Sequence, residues 1–388
     1  MTTTMRVAMV TSRFSPLVGG IETHVAEVSR RLAQRGVAVS VFTTDLGGQL
    51  PQQERRDGVE INRFPAWPSS GDYYVSLPLI RALRSRRFDV VHVQGIHTLL
   101  PPMVLGAMQQ MSVPTVLTFH TGGHSSPIRT AIRGAQWRSL RGLMRRTDEL
   151  IGVCEFEIDR FSRLLKVPRS RFRLIRNGSE PLPSGTPVEP GLEGDPLILS
   201  VGRLERYKGH QRVIRSMPAL LRTRPGARLV VVGTGPYEEM LRKLVRELGL
   251  TGAVSFTSYG PESRASLGAL MRASDVVVLM SEYEAHPVVV MEALALGKPV
   301  VVAQTSGLAE LTRFQLVTSG THGDGRTWLA ESGVWDLFQC AGRPLLTRGD
   351  GRRRRRGRCR FPGRCRWRRD SGLRVRRQRP QRAPCRRG

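Results

Sequence analysis

Val276-Val277-Val278-Leu279-Met280-Ser281-Glu282-Tyr283-Glu284-Ala285-His286-Pro287-Val288-Val289-Val290-Met291-Glu292-Ala293-Leu294-Ala295-Leu296-Gly297-Lys298-Pro299 holds the strand, loop and helix that decide the class of fold. The apolar run 276–280 is short and unbroken, the pattern of a parallel strand buried on both faces. Met291, Leu294 and Leu296, interleaved with helix-favouring Ala293 and Ala295, predict a helix. Glu284 then occupies the loop at the strand's carboxyl end, where open α/β sheets bind ligands, and Glu292 lies about one turn into the helix. Two acceptor-only carboxylates placed there suit a polyhydroxylated ligand. Two glutamates eight apart also fit a solvated helix face, so the flanking segments decide between the readings.

Upstream, Leu197-Ile198-Leu199-Ser200-Val201 runs into Gly202-Arg203-Leu204-Glu205-Arg206-Tyr207-Lys208-Gly209-His210, followed by a helical pattern at Val213, Ile214, Met217, Leu220 and Leu221. A strand feeding a glycine and two cations at a helix entrance makes an anion site, because free amides, helix dipole and side-chain charges converge. Arg203 brings a planar fork and Lys208 a point charge. The alternative is two solvated cations near a helix start. Leu229-Val230-Val231-Val232 leads into Gly233-Thr234-Gly235, where tightness of the turn explains the glycines about as well as ligand contact does. Strand and helix patterns alternate through 195–310, predicting a doubly wound parallel sheet.

The first half repeats this alternation. Val7-Ala8-Met9-Val10 precedes Gly19-Gly20 and a helix whose apolar face is Ile21, Val25, Val28 and Leu32, stopping at Gly36. The glycine pair suits either close approach of backbone to a phosphate or a tight turn. Val37-Phe42, Val90-Val93, Thr115-Phe119 and Leu150-Val153 read as further parallel strands. His120 ends one of them.

Taken together and in order, Gly19-Gly20, Asp89-Val90-Val91-His92, the Gly-Arg-x4-Lys-Gly of Gly202–Gly209 and the Glu-x7-Glu of Glu284–Glu292 resemble the retaining GT-B glycosyltransferases of family 4, over residues 5–311. The resemblance implies a GT-B fold, with two Rossmann-like doubly wound parallel-sheet domains facing a cleft. It implies transfer of a sugar from an α-linked nucleotide sugar to an acceptor hydroxyl with retention of configuration. On it, Arg203 and Lys208 hold the donor diphosphate together with the amides of Gly19 and Gly20. Glu284 and His120 contact the donor sugar and Glu292 the ribose, and Gly202, Gly233, Gly235, Val288 and Val289 border the donor. Glu22 and His24, riding on the Gly-Gly helix, are the acceptor candidates; His92, His97 and His124 line the acceptor cleft or have no role. Glu284 is not assigned as a covalent nucleophile. Relatives often carry Glu-Gly-Phe-Gly where this chain has Glu284-Ala285-His286-Pro287, and Pro287 offers no amide hydrogen to a donor. A binding-only remnant and a sugar-nucleotide epimerase on the same fold are the competing functions.

The chain has 388 residues, 40% of them hydrophobic, enough for two cores. The expected organisation is an acceptor-side domain 1–180, a Pro/Gly-rich linker 181–194, a nucleotide-sugar domain 195–315 and an irregular, Arg-rich, disordered stretch 316–388, leaving the second domain incomplete. No stretch approaches 18 apolar residues, and no signal-like segment precedes the first strand, so a cytoplasmic enzyme is expected. The acceptor is a sugar, a small molecule or a lipid-linked glycan, with peripheral membrane contact compatible with the charge. No Asp-x-Asp occurs, so neither a metal nor another cofactor is expected.

Net charge is +29, but residues 343–388 carry 20 arginines against Asp350 and Asp370, supplying +18 and leaving +11 elsewhere. Phe361 and Trp367 are the only aromatics among the arginines of 343–388, so this is no dedicated nucleic-acid module. Cys340, Cys359, Cys365 and Cys385 match no zinc spacing, and a cytoplasmic chain keeps them reduced. The tail is either a working basic arm or out-of-frame translation of a GC-rich gene; the second predicts that another frame encodes amphipathic helices of ordinary charge. Limited proteolysis is then expected to remove the tail quickly, and a frame-restored chain to be more soluble and more active. Loss of folding on deleting 343–388 would instead make the tail a working part.

Overall fold

The computed structural model describes residues 4–17, 19–69, 74–96, 98–120, 137–184, 192–313 and, as backbone, 317–320. His97, His124, the middle of the expected linker and the arginine-rich tail with its four cysteines lie outside the described residues. Both sheets belong to one compact unit.

The first sheet is built from β1 (Arg6–Thr11), β2 (Ala38–Thr44), β3 (Gln53–Arg56), β4 (Val59–Phe64), β5 (Val90–Gln94), β6 (Thr115–Thr118), β7 (Glu149–Gly152) and β8 (Phe172–Leu174), in the order β3-β4-β2-β1-β5-β6-β7-β8. All neighbours pair in parallel except β3 with β4. The period of two in β1 shows why the sheet needs helices on both faces. Ala8 and Val10 pack into one core with Leu79, Leu83, Val104 and Leu105, while Val7 and Met9 pack into another with Val25. The first core is covered by α2 (Leu77–Ser85) and α3 (Leu100–Gln110), the second by α1 (Gly20–Gln34), whose Ile21, Val28 and Leu32 lie against it as the periodicity predicts. Helices α4 (Arg141–Arg146) and α5 (Glu155–Leu165) complete this half.

The second sheet contains β9 (Leu197–Val201), β10 (Arg228–Val232), β11 (Val254–Thr257), β12 (Val276–Leu279), β13 (Val300–Ala303) and β14 (Val317–Gly320), all parallel, in the order β11-β10-β9-β12-β13-β14. Its helices are α6 (His210–Thr223), α7 (Glu238–Glu247), α8 (Arg264–Ala273) and α9 (Val288–Ala295). β14 corrects one expectation: the stretch from 316 is not irregular at its start, because Val317–Gly320 pairs with Val300–Ala303. In the described part of the linker, Leu182 and Leu192 are buried in the second core and Arg272 donates to the Leu182 and Pro183 carbonyls. A segment with no periodicity still buries single apolar side chains where it crosses a core.

Strand order reverses at two places, between β1 and β5 and between β9 and β12. Loops leaving neighbouring strands at such a point diverge to opposite faces and open a crevice at the carboxyl edge. The two edges meet. The Glu310 carboxylate accepts from the Glu155 and Phe156 amides at 3.0 and 2.6 Å, capping α5 from the second half. Asn177 donates to the His286 carbonyl at 2.7 Å, and Val153 and Cys154 pack with Ala285. Among the described residues no helix is long and apolar enough to cross a membrane.

Gly233 has φ +145°, and a Cβ there would overlap the Gly202 carbonyl oxygen, so the β9 and β10 loops approach closely only because the residue is glycine. Gly233→Ala is expected to cost at least about 2 kcal/mol, combining backbone strain with the clash. That lowers the melting temperature by about 4 °C or more. Gly252→Ala, which meets nothing within 4 Å, should melt like wild type.

Candidate functional site

The crevice between β9 and β12 collects the cations and carboxylates singled out in the sequence. Gly202 leaves β9 at φ +157°, a short 3-10 turn covers Arg206–Lys208, and Gly209 at φ +79° starts α6. Lys208 Nζ stands 2.5 Å from Glu284 Oε1, with side chains 16% and 10% exposed. Ser281 Oγ donates to the same carboxylate oxygen at 3.0 Å, and the Glu284 amide donates to Ser306 Oγ at 2.9 Å. Burial, the largest single influence, opposes charge on Lys208, but the Glu284 carboxylate and the Tyr207 hydroxyl together hold the ammonium's pKa above the ordinary lysine value.

Arg203 donates to the Tyr207 hydroxyl at 2.8 Å and pairs with Glu205 at 2.7 Å. Its guanidinium stays above its usual pKa although burial works against it, with Tyr207, Glu205 and Glu284 as the opposing partners. His210 is buried, joined to Ser200 Oγ at 2.8 Å and to the Arg203 carbonyl at 3.3 Å, and burial lowers its pKa to about 4. It braces the loop as a neutral ring. Gly235 likewise packs against the Leu204 backbone, so the Gly-x-Gly turn is required by loop packing.

Across the crevice, Gly19 caps α1 in extended conformation, and a Cβ on Gly20 would lie 3.9 Å from Val288 of α9. The first half therefore meets the start of the Glu-x7-Glu helix at its glycine pair. Glu22 has its pKa raised by burial, against the charges of Arg13 and of Arg203 from the opposite sheet. His120 lies two residues past the end of β6 at φ +46°, with Nε2 2.8 Å from Gln94 Oε1 at the end of β5. His24 stands edge-on to it, ring centroids 4.7 Å apart. Burial lowers His24 to about 4 and His92 to about 3, so both rings are neutral near pH 7.

Glu292 is buried on α9 and ion-paired with Arg264; Val289 follows Val288 in the helix's first turn. Glu284, Lys208 and Arg203 thus form one cluster, Gly19, Gly20, Glu22 and Val288 adjoin it, and His24 and His120 form a second group in the first half. Tyr207, His210, Ser281, Ser306, Gln94 and Arg264 were missed, because each acts on a partner rather than through a motif. Among the described residues no group of three or more His, Cys, Asp and Glu is arranged to hold a metal ion.

Paired parallel sheets that meet at their carboxyl edges, with a cation cluster on one rim, define an α/β protein of two Rossmann-like halves. Residues 18–181 match the model of Glycosyltransferase Family 4 and residues 187–321 that of glycosyl transferases group 1. The chain is 31% identical over 359 residues to a D-inositol 3-phosphate glycosyltransferase of Acidothermus cellulolyticus, spanning 80% of this chain and 78% of that protein. Sucrose-phosphate synthase from Thermosynechococcus elongatus superposes with TM-score 0.70 at 21% identity, covering 87% of this chain and 91% of its own. Anabaena HepE in complex with UDP-glucose gives 0.66 at 20%, covering 87% and 92%. The chain belongs to the group 1 glycosyltransferases, a family of transferase enzymes, and its fold is GT-B.

Removing one member of the Lys208–Glu284 pair leaves a buried charge uncompensated. Lys208→Met is expected to lower stability by about 3 kcal/mol, and adding Glu284→Gln to recover most of it. Chemical denaturation of both variants checks this; a single variant as stable as wild type would show that the pair carries no such coupling.

Proposed function

We propose that this enzyme moves a sugar from an α-linked nucleotide sugar to an acceptor hydroxyl with retention of configuration. The observation that carries the reading is the Arg203–Lys208–Glu284 cluster at the β9/β12 crevice, facing the Gly19-Gly20 end of α1. The leaving diphosphate gathers negative charge as the sugar departs. Cations already fixed by their neighbours stabilise it without reorganising. Lys208 has three donors, so it serves a phosphate oxygen while keeping Glu284, and Arg203 offers a fork braced by Tyr207 and Glu205. Gly19 and Gly20 supply amides at a helix start.

Glu284, held by Ser281 and Lys208, accepts from donor-sugar hydroxyls, and His120 faces the sugar from the first half. Glu292 takes the ribose, and Gly202, Gly233, Gly235, Val288 and Val289 frame the donor. Glu22 and His24 line the acceptor side, where a sugar, a small polyol or a lipid-linked glycan is the substrate class. A nucleotide-sugar donor is in keeping with the UDP-glucose complex of the HepE neighbour, and a small polyol acceptor with the inositol phosphate transferase relative. The reaction needs no metal, since Arg203 and Lys208 occupy the charge-neutralising role; activity is expected to survive EDTA. We further place the enzyme in the cytoplasm, with contact to anionic lipid as its route to a lipid-linked acceptor.

Arg203→Ala and Lys208→Ala are each expected to cut transfer by at least about 100-fold, because each removes charge stabilisation worth several kcal/mol in a closed site. Rates are measured with a panel of nucleotide sugars and acceptors, and the anomeric configuration of the product by NMR. Wild-type-like rates in both variants would remove the diphosphate assignment, and an inverted product the retaining one.

A further inference from the structure

Glu292 sits on α9 with its side chain 5% exposed, and its Oε1 is joined to the guanidinium of Arg264, the first residue of α8. The partners are 28 residues apart and belong to successive helices of the second sheet. α8 enters from the β11 edge, while α9 follows β12 beyond the reversal of strand order. Arg264 itself is about a third exposed, at 32%, so the pair has one dry member and one at the rim. No other hydrogen bond or ion pair reaches the Glu292 side chain among the described residues.

A carboxylate this buried is costly to ionise unless a cation accompanies it. Among the charged groups of neighbouring elements, Arg203, Lys208 and Glu284 act on one another, Glu22 feels Arg13 and Arg203, and Lys298 feels Asp275. Arg264 alone acts on Glu292. It therefore performs two tasks at once: it keeps Glu292 in the form that accepts, and it occupies Oε1, leaving Oε2 to turn toward a ligand.

We propose that Arg264 is the positioning residue that sets recognition of the ribose diol: by holding Glu292 ionised with one oxygen committed, it fixes the other as the acceptor for the sugar hydroxyls of a nucleoside diphosphate. This rests on the reading that Glu292 contacts the ribose, and it extends that reading to a residue outside the Glu-x7-Glu motif. Burial raises the Glu292 pKa and Arg264 opposes the rise. The sign follows. As pH falls through the folded pKa the carboxylate protonates and loses acceptor capacity, so nucleotide binding weakens on the acid side. Without Arg264 the pKa climbs further and that acid limb moves to higher pH.

The test measures dissociation constants of UDP and GDP, and of their 2′,3′-dideoxy analogues, by calorimetry between pH 5 and 8 on the full chain. Wild type, Arg264→Gln, Arg264→Lys and Glu292→Gln are compared, with melting temperature as a check on folding. Arg264→Gln is expected to weaken ribonucleotide binding about tenfold at pH 7, the scale of one charge-assisted hydrogen bond. It should also shift the acid limb upward and bring the ribo and dideoxy affinities together, with Arg264→Lys restoring the pH profile. A role in folding alone would move the melting temperature without moving the pH profile. If Glu292→Gln abolishes ribose discrimination while Arg264→Gln matches wild type at every pH, the Arg264 inference is overturned and the ribose reading stands. If Glu292→Gln keeps full discrimination, the ribose reading itself fails. Binding of neither nucleoside diphosphate overturns both.

Discussion

The ion pair between Lys208 and Glu284 is the contact on which the arrangement of the site depends. Each residue leaves the carboxyl end of a different strand, β9 or β12, and the strands are neighbours although 75 residues intervene between their loops. A lysine ammonium and a glutamate carboxylate that are both largely buried are tolerable only as a pair. Every later feature of the second half follows from satisfying that constraint. Ser281 adds a donor to the carboxylate, Ser306 takes the Glu284 amide, and His210, held neutral by burial, ties the Arg203 carbonyl to Ser200 inside the sheet. The loops are fixed before any ligand arrives, which is the condition under which charged groups stabilise developing charge.

The same loops carry the contact between halves. Residues just past Glu284 present the Ala285 side chain to Val153 and Cys154, the His286 carbonyl to Asn177, and, through the Ser306–Arg313 turn, the Glu310 carboxylate to the amino end of α5. The Glu284 loop thus contributes Ala285 and His286 to the inter-half seam, and hydrogen bonds of the Glu284 amide to Ser306 and of the Gly307 amide to the Glu284 carbonyl tie it to the segment that carries Glu310.

Much of this was legible in the sequence, for a reason that also marks the limit. Parallel strands buried on both faces write themselves as short apolar runs, and a loop at a carboxyl edge follows each, so β1, β2, β5, β6, β7 and β9 to β13 and the cations and carboxylates behind them could be placed. The antiparallel pair β3 and β4 was missed although Asp57-Gly58, both at positive φ, is a strong hairpin signal; the flanking Gln53–Arg56 is too polar to read as a strand. β14 escaped because Val317–Gly320 is short and mixed, and it stands as a strand through its pairing with β13. Partners such as Gln94 for His120, Tyr207 for Arg203 and Glu310 for α5 were invisible for another reason. They are single residues of ordinary type, made meaningful by contacts 4 to 155 positions away in the chain.

The Glu-Ala-His-Pro loop is where the chain departs from the pattern it resembles, and the fold gives that departure a physical setting. Pro287 sits at the amino end of α9 in extended conformation, a place where a missing amide hydrogen costs the helix nothing. Pro287 has no amide hydrogen, so this helix start offers no donor at that position. His286 is 4% exposed, neutral through burial, and among the described residues neither ring nitrogen has a hydrogen-bond partner. Buried polar atoms of that kind are usually completed by water. Loss of one amide donor and gain of an imidazole at the seam therefore change the loop on both of its faces, the ligand side and the inter-half side. On the proposed reading, donor choice leans on side chains, Glu284 and the Arg264-paired Glu292 above all, rather than on an amide at position 287.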